Sequence, residues 1–190
     1  MSAPAHRMHY TRAEYRALER SSNVKHEYLE GQIYAMAGGS PEHAALAATV
    51  IGLLFPQLRG GRCRALDADL RVRTPTGLST YPDVTVVRGP RTLDPEDPQA
   101  VTNPALLVEV LSPSTEEYDR GDKFEHYKGL PTLRTYVLVS HRERVVEVWS
   151  RDDEGTWTCA VSRDGEVADL PSIGARLDVH DLYESARPGE

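Results

Sequence analysis

Ala105-Leu106-Leu107-Val108-Glu109-Val110-Leu111 sets one acidic residue among six apolar ones. An apolar run of this length without polar alternation is the pattern of a central strand buried on both faces. Glu109 sits inside that run, and an ionised carboxylate buried without a partner costs several kcal/mol, roughly. It must therefore be paired, protonated or bound to a cation.

Working upstream, Pro90, Pro95, Pro98 and Pro104 make Arg88 to Pro104 an irregular excursion. Tyr81 to Val87 is expected to form a strand, with Asp83 directly after Pro82. Before it, Thr74-Pro75-Thr76-Gly77 turns the chain. Leu66, Ala68, Leu70 and Val72 alternate with Asp67, Asp69, Arg71 and Arg73, which predicts a half-buried strand. Ser40 as N-cap and Pro41 at the first helical position open a helix with an apolar stripe of Leu46, Val50, Leu53 and Leu54, ending near Arg59-Gly60-Gly61. His26 to Met36 alternates around Glu30-Gly31 as a hairpin, and Thr11-Arg12-Ala13-Glu14 is a capping-box pattern for a helix to about Arg20.

Downstream, Ser112 to Thr115 is a loop, and Asp119 is placed to cap a helix through Lys123 and Tyr127 to Gly129. Thr135–Val139 and Val145–Trp149 pair as strands across His141 to Arg144. A strand at Trp157–Val161 and a helix near Val179–Tyr183 follow.

The 190 residues suggest one domain with its core at about 24–183. With 39% hydrophobic and 27% charged residues, the composition excludes disordered, collagen-like and membrane classes. The longest nearly apolar run, Ala44 to Phe55, is well short of the roughly 20 residues of a membrane span. The N-terminal segment is charged and lacks the apolar centre of a secretion signal, so a cytoplasmic protein with Cys63 and Cys159 as free thiols is expected. A net charge of −7 opposes unguided attraction to a polyanion, so nucleic acid would need a local basic patch. Arg59, Arg62, Arg64, Arg71 and Arg73 are the densest candidates, against the plainer reading of a solvated face balanced by Asp67 and Asp69.

Asp83 and Glu109, on neighbouring strands, are the residue types that converge on a hard, oxygen-preferring cation such as Mg²⁺. The plainer alternative has Asp83 capping a turn and Glu109 pairing with an arginine. No close ligand pair joins His26 and His43 to the cysteines as a zinc site, and His43, near a helix start, is placed to contact phosphate, against the plainer reading of a packed or solvent-exposed side chain. Gly38-Gly39 lacks the lysine of a phosphate-binding loop.

Several strings, in this order and spacing, resemble one family. They are Tyr81-Pro82-Asp83-Val84, Leu107 to Thr115, Asp119 to Tyr127 and Tyr136-Val137-Leu138-Val139, preceded by Lys25 to Met36 and Ser40-Pro41-Glu42-His43. The chain resembles the Uma2 family of restriction-endonuclease-like proteins, within the PD-(D/E)XK nuclease superfamily, over most of its length. The resemblance implies an α/β (α+β) fold with a restriction-endonuclease-like mixed central β-sheet flanked by helices. It also implies a Mg²⁺-dependent DNA endonuclease in which Mn²⁺ substitutes, with Asp83, Glu109 and the carbonyl of Val110 as metal ligands. The superfamily's lysine two residues after the glutamate is here Leu111; Lys123 on the following helix matches the family's placement. Glu27 matches a further acidic site residue, with Glu30 competing for the role. A homodimer is expected by analogy, since cutting two strands suits two-fold symmetry. The competing class is a non-catalytic nucleic-acid-binding or interaction protein on the same fold.

Overall fold

The computed structural model describes residues 9–36 and 38–187; the first eight residues of the charged N-terminal segment lie outside that range. The elements in order are α1 (Arg12–Ser21), β1 (His26–Leu29), β2 (Gln32–Ala35), α2 (Pro41–Leu58), β3 (Cys63–Asp67), β4 (Arg71–Arg73), β5 (Ser79–Thr80) and β6 (Val84–Arg88). There follow β7 (Leu93–Asp94), β8 (Asp97–Val101), β9 (Pro104–Val110), α3 (Glu116–Arg120), α4 (Asp122–Lys128) and β10 (Thr135–Val139). The chain continues through β11 (Val145–Arg151), β12 (Trp157–Arg163), β13 (Val167–Leu170), β14 (Ala175–Asp178) and α5 (Val179–Ser185).

Every residue of β9 is buried, and it lies inside a six-stranded mixed sheet ordered β12-β11-β10-β9-β6-β3, parallel to β10 and antiparallel to β6. Its two faces meet different cores. Leu106, Val108 and Val110 pack with Leu46, Val50, Leu54 and Leu58 of α2, and with β13, β14 and α5. Those four α2 residues recur every fourth position, one helical face, and each contributes about 1.5–3 kcal/mol by burial. Leu107 and Leu111, on the Glu109 side, pack with Phe124, Tyr127, Leu130, Leu133, Tyr136 and Leu138. Phe124 is wedged among Tyr136, Trp149 and Trp157, with ring centroids 4.7, 5.3 and 5.2 Å away, and this pins α4 against the sheet.

A second sheet, ordered β2-β1-β5-β4-β8-β7, lies beside this one. It exists because two expected strands are broken. The alternating run 66–72 turns at 68–70, where Leu70 N–H donates to the Asp67 carbonyl and Asp69 N–H to the Asp67 carboxylate, so β3 and β4 enter different sheets. The segment 81–87 begins only at Val84, because Tyr81-Pro82-Asp83 separates β5 from β6. The Pro-rich excursion likewise holds β7 and β8; Pro95 lies in the tight connection between them and Pro98 is the second residue of β8, so the prolines do not exclude strands. The β13–β14 hairpin had no distinct sequence signal.

The predicted capping box at Thr11 and Glu14 is present, and α1 is docked by a buried polar network. The Arg71 guanidinium donates to Asp97 and to the Tyr81 hydroxyl (2.8 Å), and lies 3.5 Å from Glu19 of α1. His26 Nδ1 is 2.7 Å from the other Glu19 oxygen. Arg71 thus faces inward, while Arg59, Arg62 and Arg64 stay on the surface; the basic stretch is divided and is neither one patch nor one solvated face. Arg71→Met, which leaves Asp97 and Glu19 buried without their cation, is expected to destabilise the fold by about 3–5 kcal/mol, measurable by urea denaturation. A change below about 1 kcal/mol would show that solvent reaches this network.

Candidate active site

Glu109 and Asp83 share one face of the central sheet. In the β6–β9 ladder Val84 pairs with Val108 and Thr85 with Leu107, so the same register carried one residue further sets Asp83 opposite Glu109. Asp83 is released from the ladder by Pro82, and its Oδ2 accepts a 2.7 Å hydrogen bond from the Val110 backbone N–H. It therefore caps the end of β9 as well as facing the site. Glu109 Oε1 accepts from the Tyr127 hydroxyl at 2.7 Å and lies 2.9 Å from Lys123 Nζ.

Lys123 reaches Glu109 because α4 presents positions i and i+4 to the same side, which also buries Tyr127. The helix expected to run on from Asp119 is interrupted at Gly121, whose φ and ψ are both −107°, and Asp119 is the last buried residue of α3 instead of a cap. This break turns Asp119 toward the lysine, with its Oδ1 3.2 Å from Nζ, while the Tyr136 hydroxyl donates to the Asp119 carbonyl at 2.9 Å. Glu27 arrives from the other sheet. It accepts a hydrogen bond from Thr80 and stands 3.4 Å from Lys123 Nζ. It is only 8% exposed, whereas Glu30 occupies the exposed hairpin turn with φ 47°, so Glu27 is the one that joins the cluster.

One ammonium thus faces Glu27, Glu109 and Asp119, with Asp83 close enough to act on Glu109. Burial pushes the Glu109 carboxyl upward, Lys123 pulls it down, and Asp119 and Asp83 add to the rise, leaving it well above the usual carboxylate range. Burial alone would strip the proton from Lys123. Glu109, Glu27 and Asp119 outweigh this and hold it charged, well above the ordinary lysine range. Negative charge is in surplus, a condition that a bound cation would relieve.

His43 has a place that its sequence position did not reveal. It stands in the first turn of α2, and its Nε2 is 3.2 Å from Asp83 Oδ2. The interaction with Asp83 raises its pKa against the opposing effect of burial. The ring therefore touches Asp83, one of the three groups that the family resemblance marks as metal ligands. Only the Ser40-Pro41-Glu42-His43 string pointed to it. Asp69, on the charged face of the run 66–72, is exposed and paired with Lys25 at 2.6 Å.

A mixed sheet with an acidic pair at the ends of two adjacent strands and a lysine brought in from a helix defines a restriction-endonuclease-like fold. The sequence profile of the Uma2 family, described as "Putative restriction endonuclease", matches residues 12–180. The chain belongs to the Uma2 family. It is 40% identical over 171 residues to the uncharacterized protein slr1290 of Synechocystis sp., covering 90% of this chain and 89% of that one. A second uncharacterized Synechocystis protein, sll1609, is 31% identical over 148 residues, covering 77% and 84%. The crystal structure of a "putative nuclease belonging to DUF820" from Anabaena variabilis superposes with a TM-score of 0.72 at 20% identity, over 87% of this chain and 93% of that one. That likeness extends to the fold.

Among the described residues, no set of three or more His, Cys, Asp or Glu side chains is arranged as a metal cage. The donor chemistry nevertheless suits a hard cation. The polar contacts of Asp83 all run through Oδ2 and those of Glu109 through Oε1, which leaves each a second oxygen for a ligand. Mg²⁺ is commonly held by one or two carboxylates together with substrate phosphate and water. If Asp83 is a ligand, cation and imidazolium compete for it. The His43 ring proton, followed by NMR, should then titrate above the ordinary imidazole range without metal and move down on addition of Mg²⁺. An unchanged titration would place the cation elsewhere.

Proposed function

We propose that the protein is a Mg²⁺-dependent endonuclease that hydrolyses phosphodiester bonds of DNA, with Mn²⁺ able to substitute. The observation that carries this reading is Lys123 Nζ at 2.9 Å from Glu109, in a buried cluster with more carboxylates than cations. Three carboxylates face the one ammonium, and Asp83 lies at the same end of β9. Asp83, Glu109 and the carbonyl of Val110 are the groups to hold the cation, which when bound would polarise the phosphate and acidify water. Lys123 stabilises charge that develops on the phosphate oxygens. Glu27 and Asp119 keep its ammonium charged and fixed, and Tyr127 holds Glu109 in one rotamer through its hydroxyl. His43 orients Asp83 and, while protonated, offers a donor to phosphate. A homodimer, carrying two such sites, is part of the same proposal.

The test is incubation of the purified protein with supercoiled, linear and single-stranded DNA and with RNA, in Mg²⁺, Mn²⁺ or EDTA. Cleavage of DNA in either metal and none in EDTA is expected. Absence of cleavage of every nucleic acid would hand the lead to a non-catalytic binding role.

A further inference from the structure

The second sheet carries a line of residues outward from the catalytic cluster. Tyr28 of β1 pairs with Ser79 of β5, which extends by one position to Glu27 opposite Thr80, and Glu27 pairs across the hairpin with Tyr34 of β2. Thr80, Glu27 and Tyr34 therefore form one cross-strand row on the face that looks toward α4, with neighbouring Cβ atoms about 5 Å apart. The next row, Leu78, Leu29 and Gln32, is on the same face; Leu78 is buried and Leu29 packs against the core beside Glu109. Tyr28 and Ile33 point the other way, and Tyr28 stacks on Tyr15 of α1 at 5.1 Å.

Tyr34 is 54% exposed although it stands one strand from a carboxylate that touches Lys123. It forms one wall of an open recess of about 330 Å³, with His9, Leu29, Glu30 and Gln32 as the rest of the described lining. That lining holds an aromatic face, an aliphatic side chain and three hydrogen-bonding groups. It contains no lysine or arginine among the described residues, and Glu30 repels anions. Such a surface rejects phosphate and suits a flat, neutral ring bearing donors and acceptors.

We propose that this recess is a nucleobase subsite in which Tyr34 stacks on an unpaired base adjacent to the phosphate held at Glu109 and Lys123. The proposal rests on the nuclease reading and deepens it by naming the substrate class as single-stranded DNA or a frayed duplex end. A base inside a duplex has both faces occupied by its neighbours, so only an unstacked one can lie against Tyr34. The overall charge of −7 agrees with a substrate gripped by a local stack instead of by broad phosphate neutralisation. Gln32 and Glu30 reach the base edge; a carboxylate there accepts from the exocyclic amine of cytosine.

The test uses single-stranded oligonucleotides with 2-aminopurine placed at each position in turn, with Ca²⁺ in place of Mg²⁺, and the full-length protein as wild type, Tyr34→Phe and Tyr34→Ala. Wild type and Tyr34→Phe are expected to quench the probe at one position. Tyr34→Ala should bind about ten-fold or more weakly, within the range one base–aromatic stack supplies, and leave the probe bright. An abasic site at that position should weaken wild type by the same factor and Tyr34→Ala no further. Equal affinity and quenching in Tyr34→Ala, absence of oligonucleotide binding by the wild type, or equal binding of a blunt duplex would overturn the proposal. Stacking with no hydrolysis in Mg²⁺ would sink the nuclease reading and keep the subsite. Hydrolysis that needs Asp83 and Glu109 but has the same KM in Tyr34→Ala would do the reverse.

Discussion

Lys123→Met is expected to lower Mg²⁺-dependent cleavage by about 10²–10³-fold, the loss typical of removing one preorganised electrostatic donor. The same substitution should destabilise the fold strongly. Glu27, Glu109 and Asp119 all lie within 3.4 Å of the ammonium, and methionine fills its volume without its charge. Breaking a buried ion pair from one side costs about 3–5 kcal/mol, because the remaining partner stays desolvated and uncompensated. The sign of the pH dependence follows from where the protons go. Without the lysine, the Glu109 carboxyl, already held well above the usual carboxylate range by burial, rises further in the folded state, so the folded chain binds more protons than the unfolded one. Stability is then greatest in acid and falls as pH climbs from the unfolded pKa towards the raised folded one. Urea denaturation of Lys123→Met across pH 4 to 8, compared with wild type, checks this; a variant equally stable at neutral and acidic pH would mean that the cluster is already solvated. Leu111→Lys in the same background restores an ammonium two residues after Glu109, on the same side of β9. Partial recovery of cleavage would show that the charge is needed at the site and not on a particular element.

Glu109→Gln is expected to do the opposite to stability while still abolishing cleavage. Glutamine keeps an acceptor for the Tyr127 hydroxyl and removes one of the negative charges that crowd the cluster, so unfolding without metal should need equal or higher temperature. Cleavage should fall to the level seen in EDTA, because a cation ligand is gone. Asp83→Asn should behave alike, since the amide oxygen still accepts from the Val110 N–H. Addition of Mn²⁺ should raise the melting temperature of the wild type but of neither variant. A Glu109→Gln protein that melts several degrees lower would identify Glu109 as a structural partner of Lys123, and the binding-protein reading would then gain.

The two variants differ in kind, and the difference separates catalysis from scaffolding. A lysine that serves only structure should be matched to its carboxylates, so removing either side would destabilise. A cluster built around an additional cation carries surplus negative charge, so loss of a carboxylate is tolerated and loss of the ammonium is not.

The strand at 104–110 was legible as an unbroken apolar run and the α2 stripe as a helical period opened by its own N-cap. The pairing of Lys123 with Tyr127 on one helical face follows from their spacing alone. The divided run 66–72 was not legible: alternation registers which residues are half-buried, and a turn at 68–70 preserves that alternation while sending the halves into different sheets. Arg71 illustrates the consequence, since a charged position in an alternating pattern is expected at the surface and here is buried by Asp97 and Glu19 from remote segments.

Composition and local order are sufficient to specify a buried acidic strand, its acidic neighbour and a displaced lysine, because each depends on residues close in sequence or on a recurrent family string. The convergence of Glu27, Asp119 and His43 on them is a tertiary outcome. Glu27 is brought by a hairpin 82 positions upstream of Glu109, Asp119 is turned inward by the break at Gly121, and His43 is delivered by the start of a helix packed on the opposite face of the sheet. The four-residue spacing of Asp119 and Lys123 is local, whereas the arrival of Glu27 and His43 has no local pattern, since the energy that fixes them, burial of apolar faces between sheets and helices, is carried by other residues.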